Sequence, residues 1–161
     1  SNRLIAFTGW VDGYLSFYNE RSKETFDIAP WQSTKLLSKA LYAHCNKKPE
    51  LIFFNAVKYM VQALHDRRLK ESSELVKLKV GDKSLYFYRS TMVAVQKSLN
   101  NKLALTLPVD GNFSEDMQAA LLDYQKSVGI KETGIPDQDT LLRLLARPKS
   151  AQQEGLSNTT N

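Results

Sequence analysis

Val109-Asp110-Gly111-Asn112-Phe113-Ser114-Glu115-Asp116-Met117 is the stretch on which the reading of this chain turns. Glycine tolerates positive φ and aspartate accepts from its own backbone two residues on, so Asp110-Gly111 predicts a tight turn. Ser114 then caps a helix, with Glu115 and Asp116 in a first turn where the macrodipole favours carboxylates. Met117, Ala120, Leu121, Tyr124 and Val128 recur at helical spacing, so one stripe faces a core. Gly129 is placed to end that helix in a left-handed C′ position. Downstream, Pro136 and Asp137 restart the chain, and Leu141, Leu144 and Leu145 form the buried edge of a last short helix. Upstream, Met92, Val95, Gln96 and Leu99 mark a first one. The spacing predicts a minimal three-helix bundle over residues 90–148.

The same residues resemble the type-1 peptidoglycan-binding domain that accompanies many cell-wall hydrolases. The matching positions are Val95-Gln96, Leu99, Val109 to Phe113, Ala120, Tyr124-Gln125, Gly129-Ile130, Thr133-Gly134 and Asp137 to Leu141. They cover about a third of the chain, in the family's order and spacing. Ser114 stands where the family usually has glycine, and Met117 where it often has threonine, which takes one polar group from the implied groove. The resemblance implies a shallow groove between helices that receives the wall polymer. Gly111, Phe113 and Gly134 read as fold determinants. Asp110 and Asp137 read as turn and cap residues, with Asp110 also a candidate ligand contact. Asn112, Gln125 and Thr133 are the stronger ligand candidates, on the argument that a core does not demand their polar groups. Tyr124 joins the apolar stripe through its ring and is expected to offer an apolar surface beneath the ligand. Asp110, Asn112, Tyr124, Gln125 and Thr133 are thus the candidate peptidoglycan-binding residues.

The amino-terminal 66 residues are helical in character. Trp10, Gly13, Tyr14, Phe17 and Tyr18 form an aromatic stripe at helical spacing, expected to be core. A second helix is predicted from near Pro30-Trp31, with Leu36, Leu37, Ala40 and Leu41 inward and Cys45 at its end. Asn46-Lys47-Lys48-Pro49 is a turn, since proline cannot continue a helix interior. A third helix carries Leu51, Phe54, Ala56, Val57, Met60, Val61 and Leu64. This half is similar to the HdeA-like periplasmic acid-stress chaperones, through Gly9-Trp10, Gly13 to Ser16, Tyr18-Asn19, Trp31, Tyr42, Cys45, Pro49 and Ala56-Val57. In that family the cysteine ending the second helix pairs with one upstream of the first; here Cys45 is the single cysteine.

Between the halves, Val76, Leu78 and Val80 alternate with Lys77 and Lys79, a strand period. Gly81-Asp82 fits a two-residue type II′ turn, and Leu85 to Tyr88 the return strand. The expected fold class is mainly α: a helical domain over 1–66, a β-hairpin connector over 67–89, the three-helix bundle over 90–148, and a disordered polar tail over 149–161. The net charge of +5 is concentrated in the connector, where seven basic residues face three acidic ones. A basic hairpin with aromatics is compatible with a nucleic-acid surface, a solvated lysine face, or attraction to stem-peptide carboxylates. No nucleic-acid motif accompanies it, so nucleic acid is not an expected partner.

The inventory for catalysis is thin. His44 and Cys45 are neighbours and point about 100° apart on a helix, poorly placed to act as base and nucleophile. Two histidines without metal-ligand spacing give no zinc site, and no S-x-x-K, G-x-S-x-G or phosphate loop is present. We expect no catalytic residues, metal or cofactor. No apolar run approaches the roughly 20 residues of a membrane span, and no export signal is read in the chain. The expectation is a non-catalytic protein of the periplasm or cell envelope. Its partners would be peptidoglycan and, through the amino-terminal helices, another envelope protein. The alternatives are a chaperone-like module whose bundle docks protein, and a fragment of a larger cell-wall hydrolase.

Overall fold

A computed structural model describes residues 2–80 and 83–146. The expected turn at Gly81-Asp82 and the polar tail over 149–161 lie outside the described residues. The protein is mainly helical, with one two-stranded antiparallel hairpin: α1 (Asn2–Arg21), α2 (Thr34–Lys47), α3 (Phe53–His65), β1 (Leu75–Val80), β2 (Lys83–Tyr88), α4 (Arg89–Leu103), α5 (Glu115–Ser127) and α6 (Gln138–Leu145).

Two hydrophobic clusters form. The first is built by α1–α3 and the α1–α2 connection from Val11, Leu15, Ile28, Leu37, Leu41, Ala56, Val57 and Val61. On α1 the buried positions are Val11 and Leu15, with Phe7, Tyr14 and Tyr18 packed partly against them, which is one helical stripe. The aromatic stripe is therefore corrected: Trp10 is 45% exposed and Phe17 59%, because the inward face is centred on the aliphatic residues. Trp10 instead stacks on Tyr14, with centroids 5.5 Å apart. Phe54 on α3 is likewise exposed, beneath the Lys58 ammonium. The second helix also begins later than expected. Ser33 is its N-cap, accepting from the Leu36 N–H at 3.3 Å, so Pro30 and Trp31 stay outside it. Leu37 and Leu41 are buried as expected, whereas Ala40 faces solvent.

The second cluster joins α4–α6 and includes the hairpin. Leu78 is 1% exposed among Met92, Val95, Leu99, Met117, Leu121, Tyr124, Leu141 and Leu144. The register pairs Val76 with Phe87 and Leu78 with Leu85. Because alternate strand residues share a face, these four all pack on the bundle, while Lys77 and Lys79 are exposed. The hairpin thus roofs the bundle as well as leading into α4.

The halves are tied together directly. Gln138, in the first turn of α6, donates through Nε2 to the Trp31 carbonyl at 2.6 Å and accepts through Oε1 from the Ser33 N–H at 2.7 Å. Arg67 donates to the Leu145 carbonyl at 2.7 Å, satisfying an end-of-helix acceptor. The Tyr88 hydroxyl donates to Asp27 Oδ2 at 3.2 Å, and its ring meets Phe26 edge-on. Burial and the neighbouring Asp27 carboxylate both push the Tyr88 phenol above its ordinary pKa.

Candidate functional site

The carboxyl-terminal helices carry their loops through side-chain amides. Gly111 adopts φ +78°, and Asp110 Oδ1 accepts from the Asn112 N–H at 2.8 Å, closing the expected turn. Gln96, 2% exposed on α4, fixes this turn from below. Its Oε1 accepts from the Gly111 N–H at 2.8 Å, and its Nε2 donates to Asp110 Oδ1 at 3.0 Å and the Asn112 carbonyl at 2.9 Å. Arg89 closes the outer side, donating to the Asp110 carbonyl and Asn112 Oδ1, each at 2.9 Å, and pairing with Glu74. Asp110 remains exposed. Hydrogen bonds from the Asn112 backbone, Gln96 and the Asn112 side chain hold its carboxyl below the ordinary carboxylate value.

A second cluster forms around α5. Gln125 is fully buried. Its Oε1 accepts from the Thr133 and Gly134 N–H groups at 2.8 and 2.9 Å. Its Nε2 donates to Thr133 Oγ1, the Ile135 carbonyl and Thr140 Oγ1, each at 2.9 Å. Asp137 caps α6, accepting from the Thr140 N–H and hydroxyl and, through its second oxygen, from the Thr133 hydroxyl at 2.7 Å. A Cβ on Gly134, at φ +65°, would meet Gln118 and Leu122.

These positions revise the candidate list. Gln125 was expected to reach a ligand because no core demands its amide. The interior does demand it: both polar groups of the amide are engaged, at zero exposure. Thr133 is half-buried, with its hydroxyl committed to Gln125 and Asp137. Tyr124 is 4% exposed, its ring in the core and its phenol pushed up by burial against the opposing pull of Arg143. Asp110 and Asn112 stand together at the surface on one loop. No hydrogen bond between described residues joins the Asp110–Asn112 cluster to the Gln125–Thr133 cluster.

Three contributors were missed by the sequence reading. Arg89, Glu74 and Gln138 hold loops or halves in place, and their spacing to their partners carries no periodic signal. Gln96 falls on its helix by spacing alone, and a glutamine at a core-facing position is the clue the sequence holds to its role. Asn100 is a further amide of this kind, donating to and accepting from the Leu107 backbone at 2.9 and 2.8 Å.

Elsewhere, the Tyr18 hydroxyl meets His65 Nδ1 at 3.2 Å. Cys45 is a free, half-buried thiol. Among the described residues no group of three His, Cys, Asp or Glu side chains is arranged to hold a metal ion, and no helix is long and apolar enough to cross a membrane.

No curated protein and no solved structure matches the chain. Residues 88–144, from the end of the hairpin to α6, match the family model described as "Putative peptidoglycan binding domain".

Proposed function

We propose that this is a non-catalytic protein of the cell envelope, with the periplasm as its compartment. It binds peptidoglycan through the bundle over residues 90–148 and presents the helices of residues 1–66 as an interaction module, with the hairpin over 67–89 between them. The observation that carries the reading is the family match over residues 88–144. The rigid, exposed loop at Asp110–Asn112 supports it. Gln96 and Arg89 hold that loop on both sides, so little ordering entropy remains to be lost when it engages a ligand. The Asp110 carboxylate accepts from stem-peptide amides or sugar hydroxyls, and the Asn112 amide both donates and accepts. Gln125 and Thr133 act behind this surface by fixing the second loop, and Tyr124 by filling the core beneath it.

The test is co-sedimentation of the full chain with purified, protein-free sacculi, beside Asp110→Ala/Asn112→Ala. The expected result is that the chain pellets in moderate salt and the variant binds more weakly, each lost hydrogen bond being worth about 0.5–1.5 kcal/mol. A chain that stays in the supernatant overturns the reading. The exposed Trp10 and Phe54 favour a second one, in which the amino-terminal helices bind protein in the manner the HdeA-like resemblance suggests and the bundle is a docking platform.

A further inference from the structure

A groove of about 1030 Å³ runs beside α2 in the amino-terminal half, between that helix, α1 and the start of α3. It stands at the upper end of the roughly 300–1,000 Å³ spanned by small-molecule sites. Its two ends differ chemically. Toward the α2 N-terminus the lining is Thr34, Lys35, Ser38 and Lys39; further along it is Leu41, Tyr42, Cys45, Leu51 and Phe53.

Three features bear on the occupant. Ser38 is 8% exposed and its hydroxyl is buried with no hydrogen-bond partner. Such groups are rare and costly unless something satisfies them. Lys35 and Lys39 are exposed, and among the described residues neither forms an ion pair, although both also line a smaller groove beside Asp137 and Asp139. Asp12, the carboxylate in the lining, accepts from the Thr34 hydroxyl at 2.6 Å, and α2 itself contains no acidic residue. The polar end is therefore net cationic and lies at the helix end where the macrodipole favours anions.

We propose that this groove binds a long-chain fatty carboxylate. The carboxylate lies between Lys35 and Lys39 and draws the buried Ser38 hydroxyl round to donate to it, and the chain lies along Leu41, Tyr42, Cys45 and Phe53. The apolar stretch supplies the affinity, and the charged end sets the direction of the ligand.

Cys45, the chain's single cysteine, is a built-in reporter. The experiment titrates the full chain with sodium palmitate below its micelle concentration, following calorimetric binding and the rate of Cys45 alkylation by a maleimide. Palmitate is expected to bind and slow alkylation tenfold or more. Hexadecanol, with the same chain and no charge, is expected to bind at least tenfold more weakly. Lys35→Glu/Lys39→Glu, at exposed positions, should weaken palmitate similarly without changing the circular dichroism spectrum. Ser38→Ala should raise the melting midpoint of the free protein and yet weaken palmitate, a split that a purely structural serine would not give. No binding by palmitate, or binding that leaves Cys45 fully reactive, overturns the site. Equal binding of hexadecanol and palmitate, or protection of Cys45 by an acidic amphipathic peptide and not by palmitate, overturns the assignment of the ligand.

Discussion

Gln96 on α4 and Gln125 on α5 hold two different loops by the same geometry. In each, the side-chain carbonyl accepts from the N–H of a positive-φ glycine, Gly111 at 2.8 Å and Gly134 at 2.9 Å, while the amide donates back into the loop. The contacting helices thus each carry a polar residue into the core, and each pins one turn.

The two glutamines differ in how far water can replace them. Gln125→Leu leaves the Thr133 and Gly134 N–H groups without their acceptor, beside a position of zero exposure, while the Ile135 carbonyl keeps the Asp137 N–H at 2.9 Å. Each buried polar group left unpaired costs about 1–3 kcal/mol, so for two such groups the expected loss is about 2–6 kcal/mol. Gln96→Leu leaves one buried donor, the Gly111 N–H, without its acceptor, while its other partners, Asp110 and Asn112, face solvent, and about 1–2 kcal/mol is expected. Urea unfolding of both variants checks the order. Equal losses would mean that burial of the turn donors is not what sets the cost.

Glycine substitutions separate steric fit from backbone conformation. A Cβ on Gly111 would lie 2.5 Å from Arg89 Cγ and 2.9 Å from the Arg89 carbonyl oxygen, at φ +78°. The side chain can move aside, but the backbone oxygen cannot. Gly111→Ala should therefore cost more than the ~1–2 kcal/mol of a left-handed L-residue alone. Gly129→Ala, at φ +66° with open space around it, should cost only that amount. Gly13→Ala, in a helix interior with nothing within 4 Å, should stabilise by about 0.5–1 kcal/mol. Thermal melts of the three variants should rank in that order.

The local signals were the legible ones. The turn at Asp110-Gly111, the cap at Ser114, the left-handed Gly129 and the cap at Asp137 each depend on residues about four positions apart or fewer, and all are found as read. The hairpin strands and the three bundle helices follow from periodicity in the same way. Gln125 was not legible, because its partners lie 8 to 15 residues away on a different element. A polar side chain on an apolar stripe says only that something satisfies it. Trp10 and Phe17 misled for a related reason: their size outweighed Val11 and Leu15 in the reading, while the packing of α2 and α3 decides which face of α1 is inward. The contacts between the halves, made by Gln138 and Arg67, depend on docking that no single segment encodes.

Asp110 gives the loop an acid-sensitive component. Its carboxyl is held below the ordinary value of 3.8 by donors that prefer the charged form, the Asn112 N–H first, then Gln96 and the Asn112 amide. A carboxyl with a lowered folded pKa contributes stability that is full above its unfolded pKa and is lost as pH falls through the folded one. The contribution is therefore complete at neutral pH and fades below about pH 4. Melting midpoints between pH 2 and 7 should fall less steeply for Asp110→Asn than for the parent chain. Parallel curves would show that the charged form makes no special interaction there.

Gln138 offers the cleanest test of coupling between the halves. One side chain bridges residues more than a hundred positions apart, donating to Trp31 at 2.6 Å and accepting from Ser33 at 2.7 Å. Both partners immediately precede α2, so the bridge ties the entry of that helix to the first turn of α6. Ser33 is also the α2 N-cap; fixing its backbone holds the cap in register. Gln138→Ala removes both bonds while leaving both hydrophobic clusters intact, and about 1–2 kcal/mol of coupling is expected to be lost. Hydrogen exchange locates that loss. Protection should fall at the first turns of α2 and α6 and stay unchanged at Val95 and Leu121 in the bundle core. A uniform fall across the whole chain would mean that Gln138 supports global folding; no change at Ser33 would mean that Arg67 and Tyr88 hold the halves together without it.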